Sequence, residues 1–231
     1  MTLKQPLLKL EPLADDIYAV SDLHLPNFSQ MRLWLFDLEG TGLDTSVERV
    51  TQIAGVPLQG GEILEDESFS EYVNPGIDIP QMIQELTGIT PEKVADAPPF
   101  STSWPTGLAA AAGSDLWIGQ SVFEYDVPLL DAELARHAMP PALPPILDSV
   151  VIATLLLGEP DGRWSTSALL KRFDVNIEGL RRHDALDDVI ILGRTMLPML
   201  EMLKRDHDDC IHIGADEPLA IKRHPPIKSE K

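Results

Sequence analysis

The stretch Leu33-Trp34-Leu35-Phe36-Asp37-Leu38-Glu39-Gly40-Thr41-Gly42 constrains this chain more than any other part of it. Four apolar residues followed by two acids and a glycine-rich break read as a buried strand that stops at Gly40-Thr41-Gly42. Side chains two apart on a strand leave from one face, so Asp37 and Glu39 emerge together. An ionised carboxylate that is buried and unpaired costs several kcal/mol. A divalent cation removes that penalty, and Mg²⁺ or Mn²⁺ prefers oxygen donors. A strand ending at Phe36 would instead leave both acids solvated, and Asp-x-Glu alone does not separate the two readings.

The elements around this strand give a fold class. Residues 50–58 and 69–73 are further strands, with Gly60-Gly61 and Asn74-Pro75-Gly76 as turns, so the three form an antiparallel meander. Residues 116–119 and 146–148 are short strands, 127–139 and 165–173 are helical, and a helix follows the strand at 146. The clearest helix carries Leu186, Val189, Ile190, Gly193, Leu197 and Leu200 on one face. The apolar runs at 108–112 and 155–157 suit helix packing. A meander followed by alternating helices and strands predicts an α/β protein with a mixed sheet of about five strands flanked by helices. Residues 1–30 form an N-terminal extension, 31–205 the main domain and 206–231 a C-terminal tail, where the helical period is lost and Pro218, Pro225 and Pro226 point to an extended chain.

Charge first argues against a nucleic-acid partner. The 231 residues hold 18 Lys and Arg against 37 Asp and Glu, a net charge of −19, and phosphate affinity rests on cations. The acid is unevenly spread: residues 31–162 carry 4 basic and 21 acidic side chains, whereas 163–182 carry 5 basic and 2 acidic. No run approaches the ~18–20 apolar residues that span a bilayer, and no signal-type segment opens the sequence. The one cysteine, Cys210, excludes an intrachain disulfide and suits a reducing cytoplasm.

The motif Phe36-Asp37-Leu38-Glu39-Gly40-Thr41-Gly42 resembles the first exonuclease motif of the DEDDh branch of the DnaQ-like 3′–5′ exonucleases, which include polymerase proofreading subunits, RNase T and oligoribonuclease. Further matches follow in order. Arg49-Val50-Thr51-Gln52-Ile53-Ala54 is similar to the second strand of that family. Tyr72-Val73-Asn74-Pro75, Leu86-Thr87-Gly88-Ile89-Thr90 and Val94-Ala95-Asp96-Ala97-Pro98 are similar to its loop region. Gly119-Gln120-Ser121-Val122-Phe123-Glu124-Tyr125-Asp126 resembles the second motif, with Asp126 as the third carboxylate and Glu124 as the weaker alternative. Gln120 and Ser121 stand where the family usually has His-Asn, and one extra residue precedes the aspartate. His183-Asp184-Ala185-Leu186-Asp187-Asp188 resembles the third motif. Asp184 is a good N-cap and puts Asp187 at the N3 position of a capping-box-like arrangement. His183 then lies just outside the helix, and Asp188 is the better metal ligand.

The resemblance covers approximately residues 31–200 and implies an RNase H-like fold. It also implies hydrolysis of phosphodiester bonds from a 3′ end of DNA or RNA, releasing nucleoside 5′-monophosphates. Two divalent cations, Mg²⁺ or Mn²⁺, roughly 3.5–4 Å apart would clamp the attacking and leaving oxygens. Asp37, Glu39, Asp126 and Asp188 would hold them, and His183 would be the general base, a role suited to histidine's ordinary pKa of about 6.5. Gly40, Thr41 and Gly42 would let backbone approach the terminal nucleotide, and Arg181 and Arg182 would grip phosphate. The alternative is a nuclease-fold binding or accessory module with weak or no catalysis. The remaining negative charge suits short substrates, strand ends or a tethering partner, and the two terminal segments are where a protein partner or homodimer would attach. Two other segments have metal-ligand residue types, Ser21-Asp22-Leu23-His24-Leu25 and His207-Asp208-Asp209-Cys210-Ile211-His212. The first resembles a metallophosphoesterase motif but lacks that family's later motifs. The second lacks zinc-finger spacing and reads as solvated tail.

Overall fold

The computed structural model describes residues 7–141, 143–158 and 163–223. It opens with three short strands, β1 (Lys9–Ala14), β2 (Ile17–Ser21) and β3 (Leu23–Pro26), ahead of the long β4 (Leu33–Gly40) and β5 (Val50–Gln59). The two-residue β6 (Glu62–Ile63) follows the Gly60-Gly61 turn, where both glycines have positive φ, and β7 (Phe69–Tyr72) comes next. β5 pairs antiparallel with β4, β6 and β7, so the meander is present.

Three helices follow: α1 (Gln81–Thr87), α2 (Pro91–Val94) and α3 (Phe100–Ala110). β8 (Leu116–Gly119) returns to the sheet parallel to β4, α4 (Asp126–Arg136) packs beside α3's side, and β9 (Ile146–Asp148) adds parallel to β8. The principal sheet has the order β6-β5-β4-β8-β9 with β7 also on β5, six strands against the expected five or so. The helix expected over 127–139 begins at Asp126 and ends at Arg136. Beyond β9 come α5 (Ser149–Leu157), α6 (Thr166–Phe173) and the 22-residue α7 (Ala185–Asp206).

Alternation along β4 builds both halves of the core. Leu33 and Leu35 face α7 with Val56, Leu58, Leu116 and Ile118, and Val189, Leu192, Met196, Met199 and Leu203 close that layer. Trp34, Phe36 and Leu38 face the opposite way, with Trp104 and Trp117. Each such side chain fully buried is worth about 1.5–3 kcal/mol. Gly193 sets how close α7 comes: a Cβ there would lie 2.7 Å from Ile63 and 3.1 Å from Leu35.

The expected tail is the main correction. The helical period does stop near Arg205, because α7 ends at Asp206. The next residues, however, form β10 (Cys210–Ile213) and β11 (Leu219–Lys222). β10 pairs with β3, and β11 pairs with β2 in a sheet of order β1-β2-β11. Val20, Leu23, Leu25, Ile211, Ile213 and Ile221 are buried in the same cluster as the sheet and α7. Burying these alternating apolar residues outweighs the polar character of the segment, which made it read as solvent-exposed. The expectations for residues 1–6, Pro225 and Pro226 lie outside the described residues.

Candidate active site

Four chain segments meet at the end of β4. Asp37 pairs in register with Ala54 and Glu39 with Gln52, and after a register shift between Glu39 and Gly40 the ladder closes on the Gly40–Val50 pair. Both acids therefore point to the α7 side, where they meet the start of that helix. Asp184 caps α7, its side chain accepting from the backbone N–H groups of Leu186 and Asp187. Gln52 ties this helix start to β5: its Oε1 accepts from Ala185 N–H at 3.2 Å and its Nε2 donates to Ser70 at 3.1 Å.

Asp126, at the first turn of α4, lines the same cavity, and its Oδ1 accepts the Leu38 N–H at 3.1 Å. Glu124 points elsewhere and pairs with Arg163 at 2.9 Å. The segment before Asp126 runs through a turn where Ser121 has φ 59°. Asp148 organises that turn from beneath. Fully buried, it accepts from the N–H groups of Ser121 at 2.9 Å, Phe123 at 3.4 Å and Val150 at 2.9 Å. Burial pushes its carboxyl up to about 7. Gln120, which replaces the family's usual histidine, accepts from Ser149 Oγ at 2.5 Å and donates to the Trp164 carbonyl at 2.8 Å.

Asp37, Glu39, Asp126, Arg182, His183 and Asp188 all border one cavity of about 240 Å³. One ligand atom each from Glu39, His183 and Asp188 lies within 4.8 Å of the others, close enough to hold a metal ion. Asp188 is held by its neighbours: Arg182 Nε donates to Oδ1 at 2.5 Å and His183 N–H to Oδ2 at 2.9 Å, with His183 in a left-handed backbone conformation, φ 63°. Asp187 faces away and accepts the Arg181 N–H at 2.8 Å. That is a structural role, as expected, but its donor is Arg181 and not the cap residue itself.

The electrostatics of the cavity fit a cation. Burial first, and then the Asp188 and Asp126 charges, push Glu39 up to about 8. Burial also pushes Asp126 to about 8 against the opposing effect of its backbone hydrogen bonds. Asp37 is raised well above the usual carboxylate range by burial and by Asp126, Glu39 and Asp188, with Arg182 pulling the other way. Four carboxylates thus share a desolvated space in which, among the described lining residues, Arg182 is the one permanent cation. Asp37, Glu39 and Asp126, oxygen donors that resist ionising together, suit hard dications.

Three sequence-named residues are placed differently from the expectation. Arg181 does not line the cavity; its guanidinium lies over Gly88 and donates to the Leu86 carbonyl at 3.2 Å. Thr41 is fully buried, donating to Glu48 and accepting the Arg49 N–H at 3.0 Å. Gly40 borders the cavity, but the space a Cβ would take there is filled by the Tyr125 hydroxyl, 2.2 Å away, which donates to the Gly42 carbonyl at 2.9 Å. Tyr125 and Thr166 also line the cavity and were not singled out from sequence, and Gln120, noted there only as a departure from the family motif, lines it too. Its place at the end of the short apolar strand 146–148 was the one signal available for Asp148.

A mixed sheet flanked by helices, with acids and a histidine bordering one cavity, places the chain in the class of RNase H-like phosphodiester hydrolases. The Exonuclease family model, RNase T type, matches residues 34–195, and the chain belongs to this family of DnaQ-like 3′–5′ exonucleases. The chain is 31% identical over 173 residues to a DNA polymerase III PolC-type of Streptococcus mutans, covering 75% of this chain but 11% of that protein's length. Its fold is similar to Exonuclease X in complex with 5′ overhanging duplex DNA, with a TM-score of 0.57, 22% identity and coverage of 75% of this chain and 92% of that one. It is also similar to the nuclease domain of 3′hExo, a DEDDh family member bound to rAMP, with a TM-score of 0.63, 16% identity and coverage of 74% and 92%. Among the described residues, no helix is long and apolar enough to cross a membrane.

Proposed function

We propose that this protein is a metal-dependent 3′–5′ exonuclease that removes nucleoside 5′-monophosphates from single-stranded ends or short oligonucleotides. The observation that carries this reading is the convergence of Asp37, Glu39, Asp126, Asp188 and His183 on one desolvated cavity. The four carboxylates would hold two divalent cations, Mg²⁺ or Mn²⁺. When bound, such ions would neutralise charge at the scissile phosphate and lower the pKa of the attacking water. His183, at the rim beside Glu39 and Asp188, takes the proton from that water. Exposed Leu43 and Leu86 offer an apolar wall to the terminal base. Polymerase-type relatives support association with a polymerase.

Purified protein incubated with matched single-stranded DNA and RNA oligonucleotides is expected to shorten them stepwise from the 3′ end with Mg²⁺ or Mn²⁺ and not with EDTA. Binding without shortening of any substrate would favour the accessory-module reading and overturn this one.

Arg182 and Arg181 should separate in such assays. Arg182→Ala is expected to raise the apparent KM several-fold and to reduce the salt slope of binding by about 0.7, the single-strand value for one phosphate contact. Arg181→Ala, whose guanidinium is committed to the end of α1, should leave the slope unchanged. Equal slopes for wild type and Arg182→Ala would remove Arg182 from the phosphate site.

A further inference from the structure

Two segments with metal-ligand residue types are not used by the exonuclease cavity, one around His24 and one around Cys210 and His212. Each is unremarkable by itself, and the fold joins them. β3 and β10 pair antiparallel with His24 directly opposite His212 and Cys210 opposite Pro26. Leu23, Leu25, Ile211 and Ile213 alternate with them and are buried. His24, Cys210 and His212 therefore share the outer face of the ribbon. Cys210 Sγ lies 3.7 Å from His24 Nδ1. The two imidazoles meet edge to face, with centroids 5.3 Å apart at an interplanar angle of 84°.

One of the three pairs already matches the bond geometry of a shared ion. Zn–S of about 2.3 Å and Zn–N of about 2.0–2.1 Å at tetrahedral angles put a sulfur and a nitrogen roughly 3.5 Å apart. The thiol and His24 already stand at that separation; the His212 donors do not yet lie with them, and the exposed His212 ring, whose centroid is 5.3 Å from that of His24, has to turn to complete the set. We propose that Cys210, His24 and His212 form a second cation site, separate from the carboxylate cavity, for a borderline-soft dication of the Zn²⁺ class. One sulfur and two imidazole donors select such an ion over Mg²⁺ or Mn²⁺. Three protein ligands leave a fourth position for water or for a donor from another molecule. The neighbouring Asp208 and Asp209 supply negative potential that attracts a dication. Burial and those two carboxylates also raise the thiol's pKa in the free protein. Binding must therefore expel a proton, and affinity rises with pH.

The single cysteine makes the test specific, because a thiolate-to-cobalt charge-transfer band can arise at no other place in this chain. Full-length reduced protein would be titrated with Co²⁺ in excess Mg²⁺, so that the carboxylate cavity is occupied. The expected result is a band that saturates at one Co²⁺ per chain and is bleached by Zn²⁺. It should be absent in Cys210→Ser. His24→Ala and His212→Ala should each weaken Co²⁺ by at least the roughly 10–100-fold that loss of a mere supporting partner costs. His24→Gln and His212→Gln serve where an alanine variant loses the strand pairing, as read by circular dichroism. No band in the wild type, a band of unchanged affinity in both histidine variants, or saturation at one Co²⁺ per two chains would overturn the proposal.

Discussion

Asp37→Asn is expected to lower metal-dependent shortening of a 3′ end by about 10³-fold or more and, in EDTA at pH 8, to raise the melting temperature. Both effects come from the same crowding. The Asp37 carboxyl has a folded-state pKa well above its ordinary value, and Glu39 and Asp126 are pushed to about 8. A carboxyl raised in this way binds its proton more tightly when folded. Its stabilising contribution is complete below about pH 4 and is lost as pH climbs towards about 8. The metal-free wild type should therefore melt lower at pH 8 than at pH 5, and asparagine removes one of the charges responsible. Each 1 kcal/mol of relief is worth about 2–4 °C in a chain of this size. Mn²⁺ should raise the wild-type melting temperature at pH 8 and move the Asp37→Asn protein much less. Equal melting temperatures at the two pH values in EDTA, or undiminished exonuclease activity, would count against the crowded-carboxylate account.

Gly40→Ala should damage the site through a single added methyl group. The new Cβ would fall 2.2 Å from the Tyr125 hydroxyl and 3.2 Å from the Arg49 carbonyl. Overpacking of this kind costs about 1–3 kcal/mol. The strain falls on Tyr125, next to Asp126, so activity should drop along with stability. The partner variant makes the argument sharp. Tyr125→Phe removes the clashing oxygen and loses one hydrogen bond to the Gly42 carbonyl, a net cost of about 0.5–1.5 kcal/mol. Combined with Gly40→Ala it should give a protein more stable than Gly40→Ala alone, a non-additivity readable by urea unfolding of the four proteins. Simple additivity would mean that Tyr125 is not what requires glycine here.

How much of this was legible follows from the range of the interactions. Local chemistry could be read directly: the alternation that buries β4 on both faces, the Asp184 cap, and the turn of faces that separates Asp187 from Asp188 are all set within a few residues. The principal sheet and its meander were legible for the same reason. The reading weakened where a residue's partner lies far along the chain. Gly40 looked like a place for substrate to approach, but a tyrosine 85 positions later fills it. Arg181 looked free until α1 supplied the carbonyl it caps. Asp148 was visible only as the last residue of a short apolar strand, because the three N–H groups it collects belong to a separate loop and to its own helix. β10 and β11 each have too few residues for periodicity to speak, and their pairing partners stand at the opposite end of the described chain.

That last pairing bears on how the protein is made. Cys210 and His24 are 186 positions apart yet adjacent in space. During vectorial synthesis β2 and β3 leave the ribosome long before their partners β10 and β11 exist. Val20, Leu23 and Leu25 must wait uncovered while the exonuclease sheet assembles around β4. Contacts this distant in sequence slow folding and prolong the exposure of apolar strand edges. The closing step is therefore the docking of β10 and β11 onto the opening strands, and a nascent chain stalled before residue 210 would be a natural client for a holdase chaperone.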